Sequence, residues 1–172
     1  MIAINIIKVG LKDVLKLQEI ATITFKETFS SSNSQEDMRN YLAKSFSQNQ
    51  LMKELESENS LFYFAKIEHK IVGYLKLNFA QGQTEINDMN SLEIERIYVL
   101  NSFKGNKIGQ TLFEKTVFIA KEMNFTSIWL GVWEKNTSAI NFYLKNGFEK
   151  FDQHIFKLGN DEQIDWMMKL KL

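Results

Sequence analysis

The segment LEIERIYVLNSFKGNKIGQTLFEK, residues 92–115, constrains the fold of this chain more than any other. It opens on apolar–acidic alternation, the mark of a strand, and apolar residues then recur at helical spacing for about four turns over residues 108–123. Between the two lies a turn with Gly105 and Gly109, four apart, and Lys104 and Lys107 around them. A helix entered from such a turn leaves its first backbone N–H groups free to meet an anion. The spacing fits neither GxxxxGK[ST] nor GxGxxG. Taken alone, the turn is either a phosphate cradle or a glycine-eased polar loop with solvated lysines.

The rest of the chain surrounds this unit with alternating patterns. IAINIIKV reads as a strand, and the run that follows carries apolar residues at helical spacing through Leu11, Val14, Leu15, Leu17 and Ile20. SSSNSQED breaks it, Ser34 caps a second helix with Asp37 three residues on, and QLMKELES is a third. Two strands joined at residues 68–70 precede the loop QGQTEINDMNS. After the central unit come the strand SIWLGVW, the helix TSAINFYLKN closed by Gly147, and the strands FEKFDQHIFKL and IDWMMKLKL. This is a mixed α/β domain spanning residues 1–172, without linkers or repeats.

Composition narrows the function. At 172 residues and 44% hydrophobic content the chain can bury a substantial core. Its formal net charge of zero gives no basic excess for nucleic acid. No cysteine is present, so thiolate metal sites and a cysteine nucleophile are excluded. That absence, an N-terminus unlike a signal peptide and the lack of a membrane-length apolar run fit a cytoplasmic protein. The two histidines, His69 and His154, form no metal pattern with the carboxylates, so no metal is expected.

The segment WEKNTSAINFYLKNGFEKF resolves the ambiguity of the turn. With it, the chain resembles the GCN5-related N-acetyltransferase superfamily, whose pyrophosphate turn reads (Q/R)xxGx(G/A) and whose later helix reads NxxAxxFYxKxGF. Asn136, Ala139, Phe142, Tyr143, Lys145, Gly147 and Phe148 match the second pattern throughout. In the turn, Gly109 fits outright, while Lys104 stands where Gln or Arg is usual and Lys107 replaces the first glycine. Lys107 must therefore adopt the backbone shape that glycine supplies. SLEIERIYV, IWLGVWEKN and HIFKLGNDEQIDWMM further resemble the PaiA-type polyamine N-acetyltransferases, and the likeness spans nearly the whole chain.

The resemblance implies an α/β fold with about seven mixed strands and four to five flanking helices, and direct acetyl transfer from acetyl-CoA to spermidine or spermine. It also suggests a homodimer. Lys104, Gly105, Asn106, Lys107, Ile108, Gly109 and Gln110 would hold the CoA pyrophosphate, and Ile97, Tyr98 and Val99 would offer main-chain groups to pantetheine and the oxyanion. Asn136 caps its helix and, by resemblance, contacts CoA. Tyr143, two turns on, would protonate the leaving thiolate.

An ammonium of pKa about 10.4 must lose a proton before it attacks. Period two places Glu93 and Glu95 on one face with Ile97 and Val99, and Arg96 opposite. Glu93 ranks first as base and Glu95 second, with a salt-bridged surface pair as the alternative. Gly131 weakens its strand and marks a bulge or close approach where the central strands splay. Glu27, Glu36, Asp37, Asp88 and Asp165 are available to a polycation, and His154 as a second base, a substrate contact or a structural residue. A peptide amine, an aminoglycoside or another small amine is the alternative acceptor. An acyl-CoA-binding regulatory module is the alternative outside enzymes.

Overall fold

A computed structural model describes residues 3–86, 88–158 and 161–172. Ile2 of the expected first strand, Asn87 of the loop, and Gly159 and Asn160 of the tail lie outside them. The described elements run β1 (Ile4–Lys8), α1 (Val14–Phe29), α2 (Gln35–Ser45), α3 (Gln48–Glu56), β2 (Ser60–Ile67), β3 (Lys70–Phe79), β4 (Ser91–Val99), α4 (Ile108–Glu122), β5 (Ser127–Trp133), α5 (Thr137–Lys145), β6 (Glu149–Leu158) and β7 (Asp161–Lys171). The strands form one sheet in the order β1-β2-β3-β4-β5-β7-β6. β4 and β5 pair in parallel through the α4 crossover, and every other pair is antiparallel. The seven mixed strands and five helices agree with the expected fold.

The expected caps are present. Ser34 Oγ accepts the Asp37 amide at 3.1 Å and starts α2. Gly147, at φ +87°, ends α5, and the Phe148 amide reaches back to the Tyr143 carbonyl at 3.1 Å. The buried stripe of α1 differs from expectation. Leu17, Ile20, Ala21 and Phe25 are buried, whereas Leu15, two residues from Leu17 and so on the opposite side of α1, and Leu11, in a short 3-10 turn over Leu11–Asp13 ahead of the helix, face solvent.

Each face of the sheet carries its own core. On one, α4 and α5 place Ile108, Leu112, Phe113 and Ile140 against Leu75, Leu77, Ile94 and Leu130. On the other, Leu17, Phe25, Met38 and Leu51 of the first three helices cover Phe62, Phe64 and Tyr74. Among the described residues no helix is long and apolar enough to cross a membrane.

A β-bulge in β4 governs the centre of the sheet. Ile94 pairs with Leu77 and Arg96 with Lys76, so Glu95 is an extra residue opposite the step between them. One extra residue inverts the alternation beyond it. Glu93, Arg96 and Tyr98 therefore share a face with Asn78, Lys76 and Tyr74, while Ile97 and Val99 lie with Ile94 on the other. The expected common face for Glu93, Ile97 and Val99, with Arg96 opposite, is thus corrected.

Candidate active site

The parallel pairing of β4 with β5 covers only Ser91–Glu93 against Ser127–Trp129, after which the strands part. The gap opens a cleft of about 1250 Å³ that joins the two faces of the sheet. Its lining includes Phe25, Phe29 and Tyr41 from the α1–α2 side, Ile108, Phe142 and Tyr143 from the α4–α5 side, and Ile94 to Val99 along the edge of β4. Ile97, Tyr98 and Val99 thus border the cleft as expected. Gly131 lies beyond the fork, but β5 keeps an unbroken register with β7, so the bulge belongs to β4. Nor does Gly131 mark a close approach, since a Cβ there would stand 3.5 Å from His154 Cε1, an ordinary van der Waals contact.

One end of the cleft is backbone. Lys107 is the residue before α4 and sits in the left-handed region at φ +62°, ψ +11°, the shape that glycine takes readily. Gly105 is also left-handed at φ +84°. Among the described residues, the amides of residues 105–110 donate to no backbone or side-chain acceptor. They form a concave set of N–H groups at the positive end of the α4 dipole, suited to a diphosphate. Lys104 and Lys107 are exposed beside them, Asn106 Nδ2 donates to the Phe103 carbonyl at 3.1 Å, and Gln110 Nε2 donates to Asn146 Oδ1 at 3.1 Å. A Cβ on Gly109 would meet nothing within 4 Å, so nothing of the protein fills the space in front of it.

Asn136 Oδ1 accepts the Ala139 amide at 3.2 Å and caps α5, which projects Tyr143 into the cleft two turns later. Phe142 and Phe148 flank the Tyr143 ring with centroids 5.4 and 5.5 Å away. Burial pushes the Tyr143 phenol well above its ordinary pKa, so it holds its proton at neutral pH. Among the described residues its hydroxyl has no hydrogen-bond partner.

Side chains make the other end. Glu93 is 2% exposed and receives the Thr84 amide and Asn78 Nδ2, each at 2.9 Å, together with the Thr84 hydroxyl. Burial raises its pKa, and the Thr84 and Asn78 hydrogen bonds offset part of the rise. A carboxylate whose pKa is raised and that remains a hydrogen-bond acceptor is suited to taking a proton from a substrate.

Glu95 is committed elsewhere. Its oxygens meet Lys76 Nζ at 2.5 Å and Arg96 Nη2 at 2.9 Å, and Glu54 of α3 meets the same two cations, each at 2.8 Å. Burial pushes Glu54 up, but Arg96 and Lys76 outweigh it and hold the carboxyl below the usual range. Two carboxylates against two cations make a compact balanced cluster, which removal of any member would leave with an unpaired buried charge.

His154, Asp165 and Glu85 form a third group. His154 Nδ1 lies 3.2 Å from Glu85 and Nε2 lies 3.8 Å from Asp165. Burial raises the Asp165 pKa to about 6, with His154 lowering it and Glu85 raising it. Of the expected carboxylates, Asp165 and Glu27 line the cleft, although Glu27 accepts the Asn101 amide at 2.8 Å. Glu36 and Asp37 sit in the first turn of α2, and Asp88 pairs with Lys169 at 3.6 Å, all outside the cleft lining. Among the described residues no group of three or more His, Cys, Asp or Glu side chains is placed to hold a metal.

Thr84 and Glu85 were hidden in a loop whose composition predicts only a turn. Gln83 seats that loop, accepting from Trp129 Nε1 at 2.6 Å and Ser91 Oγ at 3.1 Å and donating to the Asp88 carbonyl at 2.9 Å. Asn78 was hidden inside a strand. No local motif marks any of them.

Comparison with known proteins bears on this geometry. The family model described as acetyltransferase (GNAT) family matches residues 16–148. An uncharacterized N-acetyltransferase from the pepI 3' region of Lactobacillus delbrueckii subsp. lactis is 40% identical, covering 100% of this chain and 99% of its own. The spermidine N(1)-acetyltransferase of Thermoplasma acidophilum is 27% identical over 87% of this chain and 91% of its own. A crystal structure of the PaiA N-acetyltransferase of Thermoplasma acidophilum in complex with coenzyme A superimposes with TM-score 0.83 at 25% identity, covering 99% of both chains.

Proposed function

Because this chain belongs to the acetyltransferase (GNAT) family and is an acetyl-CoA-dependent N-acetyltransferase, we propose that its acceptor is a primary amine of a polyamine such as spermidine or spermine. One observation carries the proposal. The cleft joins a cradle of free amides to an end bearing Glu93, Glu85 and Asp165, so it offers an anion site and a cation site to its two substrates. The spermidine N(1)-acetyltransferase among its relatives supports the same reading.

Acetyl-CoA supplies an acyl group activated as a thioester. Amides 105–110 hold its pyrophosphate, with Lys104 and Lys107 adding point charges at the rim. Asn136 caps α5 and contacts the pantetheine arm, while the open edge of β4 at Ile97, Tyr98 and Val99 aligns that arm and donates an N–H to the oxyanion. Asp165 and Glu85 hold ammonium groups of the acceptor, and Glu93 takes the proton from the attacking nitrogen. Glu95 balances Lys76 and Arg96 and is not the base. Tyr143 donates its proton to the departing thiolate, so Tyr143→Phe lowers turnover and leaves CoA affinity in place.

The test mixes the purified protein with acetyl-CoA and a panel of amines, follows free thiol and identifies products by mass. Acetylation of spermidine or spermine well above monoamines is expected. Turnover of a peptide amine or aminoglycoside with none of any polyamine would replace the acceptor.

A further inference from the structure

The Glu93 carboxylate can accept a proton at only one of its oxygens. Oε2 receives two N–H donors, the Thr84 amide and Asn78 Nδ2. Neither can reverse, because an N–H has no lone pair to offer. Ser60 Oγ holds Asn78 in that orientation by donating to its Oδ1 at 2.9 Å. Oε1 meets the Thr84 hydroxyl, which can donate or accept. Glu93 is buried, Thr84 beside it is exposed, and both line the cleft.

We propose that Thr84 is a catalytic residue whose hydroxyl relays the acceptor's proton to Glu93 Oε1. The inference rests on Glu93 as base. An N–H bond of the ammonium breaks as its proton passes to Thr84 Oγ1, and the hydroxyl's own proton passes to Glu93 Oε1. Thr84 ends neutral, Glu93 ends as a carboxylic acid, and the lone pair stays on the nitrogen to attack the thioester carbonyl. Glu95, two residues along β4 from Glu93, and Glu54 of α3 are committed to Lys76 and Arg96. Among the described residues, Thr84 is the one group bonded to Oε1 that can also accept a proton.

Thr84→Val removes the hydroxyl and keeps both the shape and the backbone N–H to Oε2, whereas Thr84→Ser keeps the hydroxyl and the backbone N–H and loses only the methyl. On the protonated amine that the panel identifies as substrate, Thr84→Val should lower kcat/KM about 100-fold at neutral pH, and Thr84→Ser should stay within about threefold. Calorimetric affinity for acetyl-CoA should not change, and if Thr84→Val loses it, Thr84→Ala is read instead. The deficit should shrink as pH rises toward the ammonium pKa, because less of the amine then needs deprotonation. A pH-independent deficit, or wild-type rates in the variant, would overturn the relay. Glu93→Gln separates the two levels: full activity there removes the base and the relay together, while a loss confined to Glu93→Gln leaves the base and removes only the relay.

Discussion

The 104–110 end of the cleft is lined by free backbone amides, whereas the Glu93 end is built from side chains drawn from four separate segments, Thr84, Glu93 and Asp165 at the cleft and Asn78 buried behind Glu93. The first end needs only that one short turn take a particular shape. Sequence can vary there, as Lys107 does, provided the φ and ψ angles survive. The second end works through identity, since an amide, a hydroxyl and a carboxylate must each sit in one place. Tolerance to substitution should therefore differ sharply between the ends.

Glu93→Gln gives the largest effect. The amide is isosteric, its oxygen can take the two N–H donors and its NH₂ can meet the Thr84 hydroxyl, so the fold is kept. Turnover should fall about 10²- to 10⁴-fold with acetyl-CoA affinity unchanged, measured by steady-state kinetics beside calorimetry. Turnover within a few-fold of wild type would break the contrast at its stronger end.

Gly109→Asp tests the backbone end. The open space before Gly109 admits the side chain, but its charge would face a pyrophosphate held in the proposed cradle. Acetyl-CoA affinity should drop about 10- to 100-fold, roughly 1.4–2.8 kcal/mol. Gly109→Ala should cost little, because the cradle uses N–H groups. A large loss with alanine would mean that shape at residue 109, beyond its amide, is required.

Asp165 gives a smaller effect that depends on pH. Its folded pKa, about 6, stands above the ordinary 3.8, so it is neutral in acid and ionised above about pH 6. KM for a polyamine should therefore fall as pH rises from 5 to 7, with Asp165→Asn flattening that limb and raising KM about tenfold at pH 7.5. For stability the sign is opposite: what the neutral form contributes is present below pH 3.8 and lost as pH rises through about 6. A KM profile identical in the two proteins would remove Asp165 from acceptor binding.

Lys107→Gly gives the smallest effect. Relief of the left-handed strain should raise stability by about 0.5–1 kcal/mol in thermal or denaturant unfolding. Acetyl-CoA affinity should weaken only a few-fold, more at low ionic strength than at high. A tenfold loss would make Lys107 a phosphate ligand in its own right as well as a turn residue.

Legibility in the sequence follows the same divide. The strand, turn and helix around residues 92–123 were readable because each has a local signature, and the NTSAINFYLKNGF helix identified the turn beside it. The strand order was not readable, because pairing joins residues far apart in the chain. One bulged residue, Glu95, reversed the face assignments for Arg96, Ile97 and Val99, since period two has no memory of an inserted position. Leu11 misled because it lies in a 3-10 turn ahead of α1, and Leu15 because two residues from Leu17 put it on the other side of the helix. Thr84 and Glu85 reach the site only because Gln83 pins their loop to Trp129 and Ser91.

The position of β7 between β5 and β6 has a consequence for how the chain assembles during synthesis. β6 emerges from the ribosome before β7, yet it touches the sheet only through β7. It must therefore wait, or pair with β7 first and dock as a hairpin on the exposed edge of β5. The turn at residues 104–110 and the helix behind it can form earlier, from contiguous chain. Of the acceptor end, Asn78, Thr84 and Glu93 thus emerge before the amide cradle and Asp165 long after it, and a pause in translation between β6 and β7 would leave a nascent chain with its turn and α4 already made and Asp165 still to come.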